Sequence, residues 1–235
     1  MTNYVACLKY GNKYSAKYVN KLYNMVRANL TIDYEFVCFT DCKKGLNKNI
    51  RVEPLPKIEG VHGWWYKPMF FNPNLSIRGT VLFLDLDMII FRNIDCLFTY
   101  NPGKFCIIRD FNRSIIKQFP KFNSSVFRLD TGDQAHVYNE FMKEPTKISR
   151  RFLGDQDWIY HTVKKNFEYW PEEWIQSYKW EMRKRPRLDT SQPKGERDFV
   201  VNDNPVIHND TKIAVFHGDP NPHNCKDPWV QQNWR

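Results

Sequence analysis

Residues 80–91 read TVLFLDLDMIIF, so two carboxylates, Asp85 and Asp87, stand one residue apart in the most apolar stretch of the chain. A carboxylate in apolar surroundings is costly unless something pairs with it. Two carboxylates this close also repel each other, which raises one of their pKa values. A divalent cation relieves both penalties, because it prefers hard oxygen ligands and is the largest charge in its neighbourhood. Leu86, between the two, can point back into the core and brace the turn. Aspartates that cap a turn or pair with lysines would be spelled the same way.

His217 is a third candidate ligand. It closes the apolar run KIAVFH and is followed by Gly218. A histidine at a strand end can equally be a hydrogen-bonded structural residue. An imidazole added to two carboxylates suits Mn²⁺ better than Mg²⁺. Lys and Arg number 35 against 26 Asp and Glu, a net charge of +9, which favours an anionic partner. A metal in a basic chain points to a diphosphate ligand, since the cation bridges phosphate oxygens and neutralises a leaving group. Net charge alone would also suit a nucleic-acid-binding protein, and the carboxylates alone a sugar nucleotidyltransferase. The latter calls for a Gly-rich phosphate loop near the N-terminus, and KYGNKYS is Gly-poor.

The elements that must position these residues alternate. NYVACL (3–8) reads as a buried strand. Val19, Leu22, Tyr23, Val26 and Leu30 recur at helical spacing, and YEFVCFTD (34–41) reads as a second strand. That is a β–α–β unit with parallel neighbouring strands. The polar, Pro/Gly-punctuated stretch from Asp41 to Gly63 reads as loop. GWWYKPMFF (63–71) reads as a short helix that tolerates Pro68 only in its first turn. TVLFLD is the central strand, KFCIIRD (104–110) and SSVFRLD (124–130) are further strands, and helices follow around 133–143 and 155–164. Trp174–Asn204 reads as irregular, and PVIH and KIAVFHG as two closing strands. The expected fold is α/β, with a mixed, mostly parallel sheet flanked by helices, in one domain over 1–235. In such sheets ligands bind beyond the carboxyl ends of the strands, where KYGN, DLD and HGDPNP fall.

The six cysteines show no zinc or CxxC spacing, and Cys7, Cys38 and Cys106 fall in strand-like runs. They read as free thiols in a reducing compartment. MTNYVACLKY lacks a signal-peptide core and no apolar run is long enough to span a bilayer, so a cytoplasmic protein is expected, with peripheral membrane contact open to it. The basic run at Arg183, Lys184, Arg185 and Arg187 reads as a solvated loop.

Taken in order, these motifs resemble the GT-A-fold, nucleotide-sugar-dependent glycosyltransferases of family 8, the group that includes glycogenin and the galactosyltransferases of lipopolysaccharide synthesis. The resemblance covers about residues 3–170 and 213–222. It implies an enzyme that moves a sugar from a nucleoside diphosphate sugar, most simply a UDP-sugar, to an acceptor with retention, using Mn²⁺ or Mg²⁺. It implies that Leu8, Tyr10, Gly11 and Tyr14 contact the nucleoside, Tyr10-Gly11 standing where the family has Thr-Asn. Lys67 matches a donor-contacting lysine, and Asp85 and Asp87, around Leu86, match the family's DxD. His217, beside Gly218, matches the histidine that completes the metal site. Asn123 and Ser124 match a Phe-Asn-x-Gly-Val segment whose Asn reaches the donor sugar, with Ser125 in place of the usual Gly. Asp155 and Gln156 match the Asp-Gln pair at the reaction face, where Asp155 would act as nucleophile or orient the sugar. The family's C-terminal lysine reads Asn221 here, and Lys179, between Tyr178 and Trp180, is a candidate replacement at the diphosphate. The acceptor, a glycan, lipid-linked sugar or protein, would meet the variable segment 172–204.

Overall fold

The computed structural model describes residues 1–163, 167–184, 191, 193 and 205–235. The opening strand–helix–strand unit forms as β1 (Thr2–Lys9), α1 (Ala16–Asn29) and β2 (Glu35–Thr40). Then come β3 (Arg51–Pro54), a run of 3₁₀ turns over Gly63–Phe71, β4 (Gly79–Leu84), β5 (Met88–Ile90) and the short helix α2 (Cys96–Thr99). β6 (Cys106–Arg109) and β7 (Phe122–Asp130) precede three helices, α3 (His136–Lys143), α4 (Pro145–Arg151) and α5 (Asp155–Thr162). β8 (Glu168–Tyr169), β9 (Ile175–Ser177), a π-helical turn at Tyr178–Met182, β10 (Ile213–Val215) and α6 (Pro228–Asn233) complete the order.

Seven strands form the main sheet in the order β3-β2-β1-β4-β7-β6-β8. Only β7 runs against the rest, antiparallel to both β4 and β6. A second sheet, β5-β10-β9, lies beside it. Both faces of the main sheet are covered, which is why its central strands read as continuous apolar runs. The strand period of two divides them. Val5, Cys7, Leu82 and Leu84 pack with α1 and the small sheet, whereas Tyr4, Ala6, Leu8, Val81 and Phe83 pack with the 63–71 turns, α3 and α5. On the second face Phe83 and Phe127 stack at 4.7 Å, and Phe70 and Phe105 close in on them.

Several expectations are corrected. The 41–63 stretch contains β3, which pairs parallel to β2 from Arg51 opposite Val37. Residues 63–71 form 3₁₀ turns with Pro68 in the interior; the short i→i+3 ladder leaves room for a residue without an N–H. α4 starts with Pro at its first turn and buries none of its residues, so no apolar stripe announces it. Ile175–Ser177, expected to be irregular, is β9. It pairs with β10, whose other side is taken by β5. No edge of β10 is left for PVIH, and residues 205–208 form no strand. Arg183 is buried rather than solvated, paired with Asp227 and Tyr178. Arg185 and Arg187, and most of the proposed acceptor segment beyond residue 184, lie outside the described residues. All six cysteines are free. Among the described residues no helix is long and apolar enough to cross a membrane.

Candidate active site

The period of two that organises β4 also aims its carboxylates. Leu82, Leu84 and Leu86 face the α1 side of the sheet, with Leu86 buried in that core, so Asp85 follows Phe83 toward the opposite face. The ladder continues one residue past the strand, as Asp85 N donates to Ser125 O at 2.9 Å. Asp87 is fixed from the other direction, its carbonyl accepting from Phe216 N at 2.8 Å. The two carboxylates therefore sit where the small sheet meets the carboxyl end of the large one.

They line a cleft of about 180 Å³ with Leu8, Tyr10, Tyr14, Lys67, Ser124, Asp155 and Gln156. Lys67, from the 3₁₀ turns, is only 5% exposed. Its ammonium donates to Asp85 Oδ2 at 2.9 Å and to the carbonyl and hydroxyl of Ser124, and stands 3.9 Å from Asp155 Oδ2. Burial works against the charge of Lys67, but Asp155, Asp85 and Asp87 outweigh it and raise its pKa. This excludes a surface lysine that merely folds its stem onto the protein.

Tyr14 donates its hydroxyl to Asp87 Oδ2 at 2.9 Å and approaches Asn221 Oδ1 at 3.5 Å. It precedes α1, so it is not a packing residue of that helix face. Burial, then the neighbouring Asp85, push the Asp87 carboxyl up to about 6, against the pull of Tyr14 and Lys13. Asp155 opens α5 one residue after its N-cap, Gly154, and turns its side chain into the cleft, where it accepts from Ser124 Oγ at 2.6 Å. Burial raises its pKa, with Lys67 and Ser124 opposing. Gln156 binds Asn123 at 3.3 Å and reaches Asp110 at 3.5 Å. Asn123 also accepts from Ser125 N, which fixes its amide. Gly11 holds φ +51°, with its N–H on Asp41 at 2.8 Å.

His217 is placed differently from its two expected co-ligands. Its Nε2 shares a 2.6 Å hydrogen bond with Ser177 Oγ, and its ring stacks on Phe111 and meets the edge of Trp180. Burial, then Lys179, hold its pKa down to about 3, so the imidazole is neutral. Among the described residues no three His, Cys, Asp or Glu side chains gather as a metal set. Lys179 lies against the same strand-end loop, its ammonium donating to the carbonyls of His217 and, at 2.9 Å, of Asp219. Gly218 has φ +82°, and a side chain there would come within 3.5 Å of that ammonium.

Lys13, Trp64, Ser124 and Ser125 also line the cleft, and sequence reading gives the first two no role. Lys13 stands in the exposed polar loop after Gly11, a setting it shares with many other lysines of the chain, so nothing in the sequence marks it. Asp110, at the end of the KFCIIRD run, caps the 3₁₀ turn at Phe111–Ser114 and also touches Gln156.

The seven-stranded mixed sheet, with its cleft at the carboxyl edge, is the fold of the GT-A glycosyltransferases. Solved structures of that class are similar over most of the chain. The galactosyltransferase LgtC, solved with donor and acceptor sugar analogs, superposes with a TM-score of 0.66 at 13% identity, over 97% of this chain and 93% of that one. The glycosyltransferase GlyE of Streptococcus pneumoniae TIGR4 gives 0.59 at 10% identity, over 76% of this chain. The chain spans about half of GlyE, 48% of its length. No protein-family model and no curated protein sequence matches the chain.

Proposed function

We propose that this protein transfers a glycosyl group from a nucleoside diphosphate sugar to an acceptor. The observation that carries the reading is the cluster of Asp85, Asp87, Asp155 and buried Lys67 at the carboxyl end of β4. Its acids outnumber its one buried cation, which suits a site that takes up a cation together with sugar hydroxyls.

The donor set fits a divalent metal in part. Asp85 and Asp87 each commit Oδ2 to a protein donor, Lys67 or Tyr14, and burial together with mutual repulsion already disfavours the charge on Asp87. Mn²⁺ or Mg²⁺ held by these two aspartates would neutralise the departing diphosphate. His217 commits Nε2 to Ser177, so as a third ligand it would offer Nδ1 or give up that bond. Leu8, near the end of β1, and Tyr10, just after it, would hold the nucleoside, most simply uridine.

Asp155 is held by Ser124 and faces Lys67, which suits a residue that orients sugar hydroxyls better than a free nucleophile. Asn123 and Gln156, tied to each other, would share that task. Lys67 keeps its positive charge inside the cleft and orients Asp85 and Asp155. Retention follows from the family resemblance and is read from the anomer of the product by NMR.

The first test is calorimetric titration of UDP with and without Mn²⁺. Wild-type protein should bind more tightly with the metal. Asp87→Asn should abolish that gain while its unfolding temperature stays at or above that of the wild type, since the substitution removes a repelling buried charge. Unchanged metal-dependent affinity in Asp87→Asn would refute the reading.

A further inference from the structure

Among the described residues seven large hydrophobic side chains are exposed; Met1, Met142 and Val206 are scattered, and the other four gather at one edge. Leu153 is 94% exposed, Ile115 and Ile116 are 58% and 54%, and Trp64 is 47%. All four belong to connections at the carboxyl edge of the main sheet, around the mouth of the cleft. Trp64 adjoins the turn that carries Leu153, since a side chain on Gly154 would stand 3.8 Å from Trp64 Nε1. Ile115 and Ile116 sit in the loop that β6 and β7 enclose, closed at its base by Asp110 N donating to Lys121 O at 3.1 Å. Lys121, with Arg151 and Leu153, lines an open groove of about 590 Å³ beside α5. Asp155 and Gln156 of α5 line the cleft, and Asp157 lines the groove, so the two openings are neighbours.

Cations alternate with these apolar tips. Arg150 and Arg151 precede Phe152 and Leu153, Lys117 follows Ile116, and Lys13 lies 6.0 Å over the Trp64 ring. Beside these tips Asp157 pairs with Lys121, and Glu144 with Lys147. Arg150 and Arg151 have no carboxylate partner among the described residues. α4, which carries both, touches the core through Ile148 alone and leaves both arginines exposed.

We infer that this edge docks on an anionic lipid surface. Exposed tips of Trp, Leu and Ile set among arginines and lysines match what an acidic bilayer offers: headgroups for the cations and an acyl boundary for the tips. The chain's charge of +9 adds long-range attraction. The tips stand on separate connections with cations between them and form no packed apolar centre of the kind a protein interface has, whereas a fluid bilayer takes separate tips. Docked this way, the cleft opens toward the bilayer. This inference does not depend on glycosyl transfer.

The test is co-sedimentation of the full chain with phosphatidylcholine vesicles, with and without phosphatidylglycerol. The chain should bind only the anionic vesicles and be released by salt. Arg150→Ala with Arg151→Ala should weaken binding about five-fold for each cation removed. Leu153→Ser should weaken it about three- to ten-fold with UDP affinity unchanged. Arg78→Ala with Lys104→Ala, at the opposite, amino edge, lowers the net charge equally but should weaken binding far less than the Arg150 and Arg151 pair. No binding to anionic vesicles, equal binding to neutral ones, or equal weakening by the amino-edge pair would overturn the inference.

Discussion

Lys67 Nζ lies 2.9 Å from Asp85 Oδ2, and the lysine is almost completely withdrawn from water. The pair joins the 3₁₀ turns to the end of the central strand, and Asp155 brings α5 to the same ammonium. Removing one partner of such a pair leaves an uncompensated buried charge, a loss of roughly 3–5 kcal/mol. Lys67→Met should fall near the lower end, about 3 kcal/mol, because Asp85 keeps some contact with water. Adding Asp85→Asn should return part of that stability. Urea unfolding of the four members of the cycle measures it, and purely additive losses would show that the two charges do not interact.

Asp155 supplies a pH test. Its folded pKa is raised, chiefly by burial, so the carboxylate form is lost at a higher pH than for an ordinary aspartate. If the ionised form accepts hydrogen bonds from the sugar, the acid limb of the transfer rate should lie above the usual carboxylate range. Asp155→Asn should slow transfer and flatten that limb while UDP affinity barely changes. An acid limb that persists in Asp155→Asn would assign it to another group.

Arg128 tests the frame rather than the chemistry. It is 1% exposed on β7, and its guanidinium donates to the carbonyls of Leu97, Phe98, Tyr100, Asn101 and Lys104. Those carbonyls end α2 and shape the turn into β6. Arg128→Ala would strand several buried acceptors, each worth about 1–3 kcal/mol. Chemical denaturation should show a loss of at least about 3 kcal/mol. A loss below about 1 kcal/mol would mean that water reaches the carbonyls.

The strand period of two in TVLFLDLD is enough to put Asp85 and Asp87 on one side and Leu86 in the core, and the helical spacing from Val19 to Val26 is enough for α1. These are local patterns. Tyr14 and Asp87 meet across 73 residues, and only the family resemblance links them in sequence. Ser177, which holds His217, lies in a short strand paired edge-on with β10, and three residues carry too little periodicity to announce it. α4 escapes the pattern because Ile148 alone meets the core, and one residue makes no apolar stripe. Arg183 shows the opposite failure: a basic run looks solvated in sequence, yet Asp227, 44 residues later, draws its first member inside.

The final prediction concerns Lys179. In the resembled family a C-terminal lysine meets the diphosphate, and this chain has Asn221 at that position. On the proposed function a leaving diphosphate would still need positive charge near its oxygens. Lys179 reaches the same strand-end loop from the π-helical turn, and its ammonium donates to the carbonyls of His217 and Asp219. That leaves one of its three N–H donors for a ligand. Burial lowers its pKa to about 8, so it is charged at neutral pH but sparingly hydrated, which favours an anion as partner. Lys179→Met keeps the stem and removes the charge. It should weaken UDP binding by about 1.5–3 kcal/mol, the range for a charge-assisted hydrogen bond, and leave uridine binding nearly unchanged. Lys184→Ala, exposed in the same basic stretch, should do little. Calorimetric titration of UDP and uridine against the three proteins decides the matter. Equal loss of both ligands in Lys179→Met would mean that the lysine only holds the loop. Equal, modest losses in both variants would reduce the segment to diffuse charge.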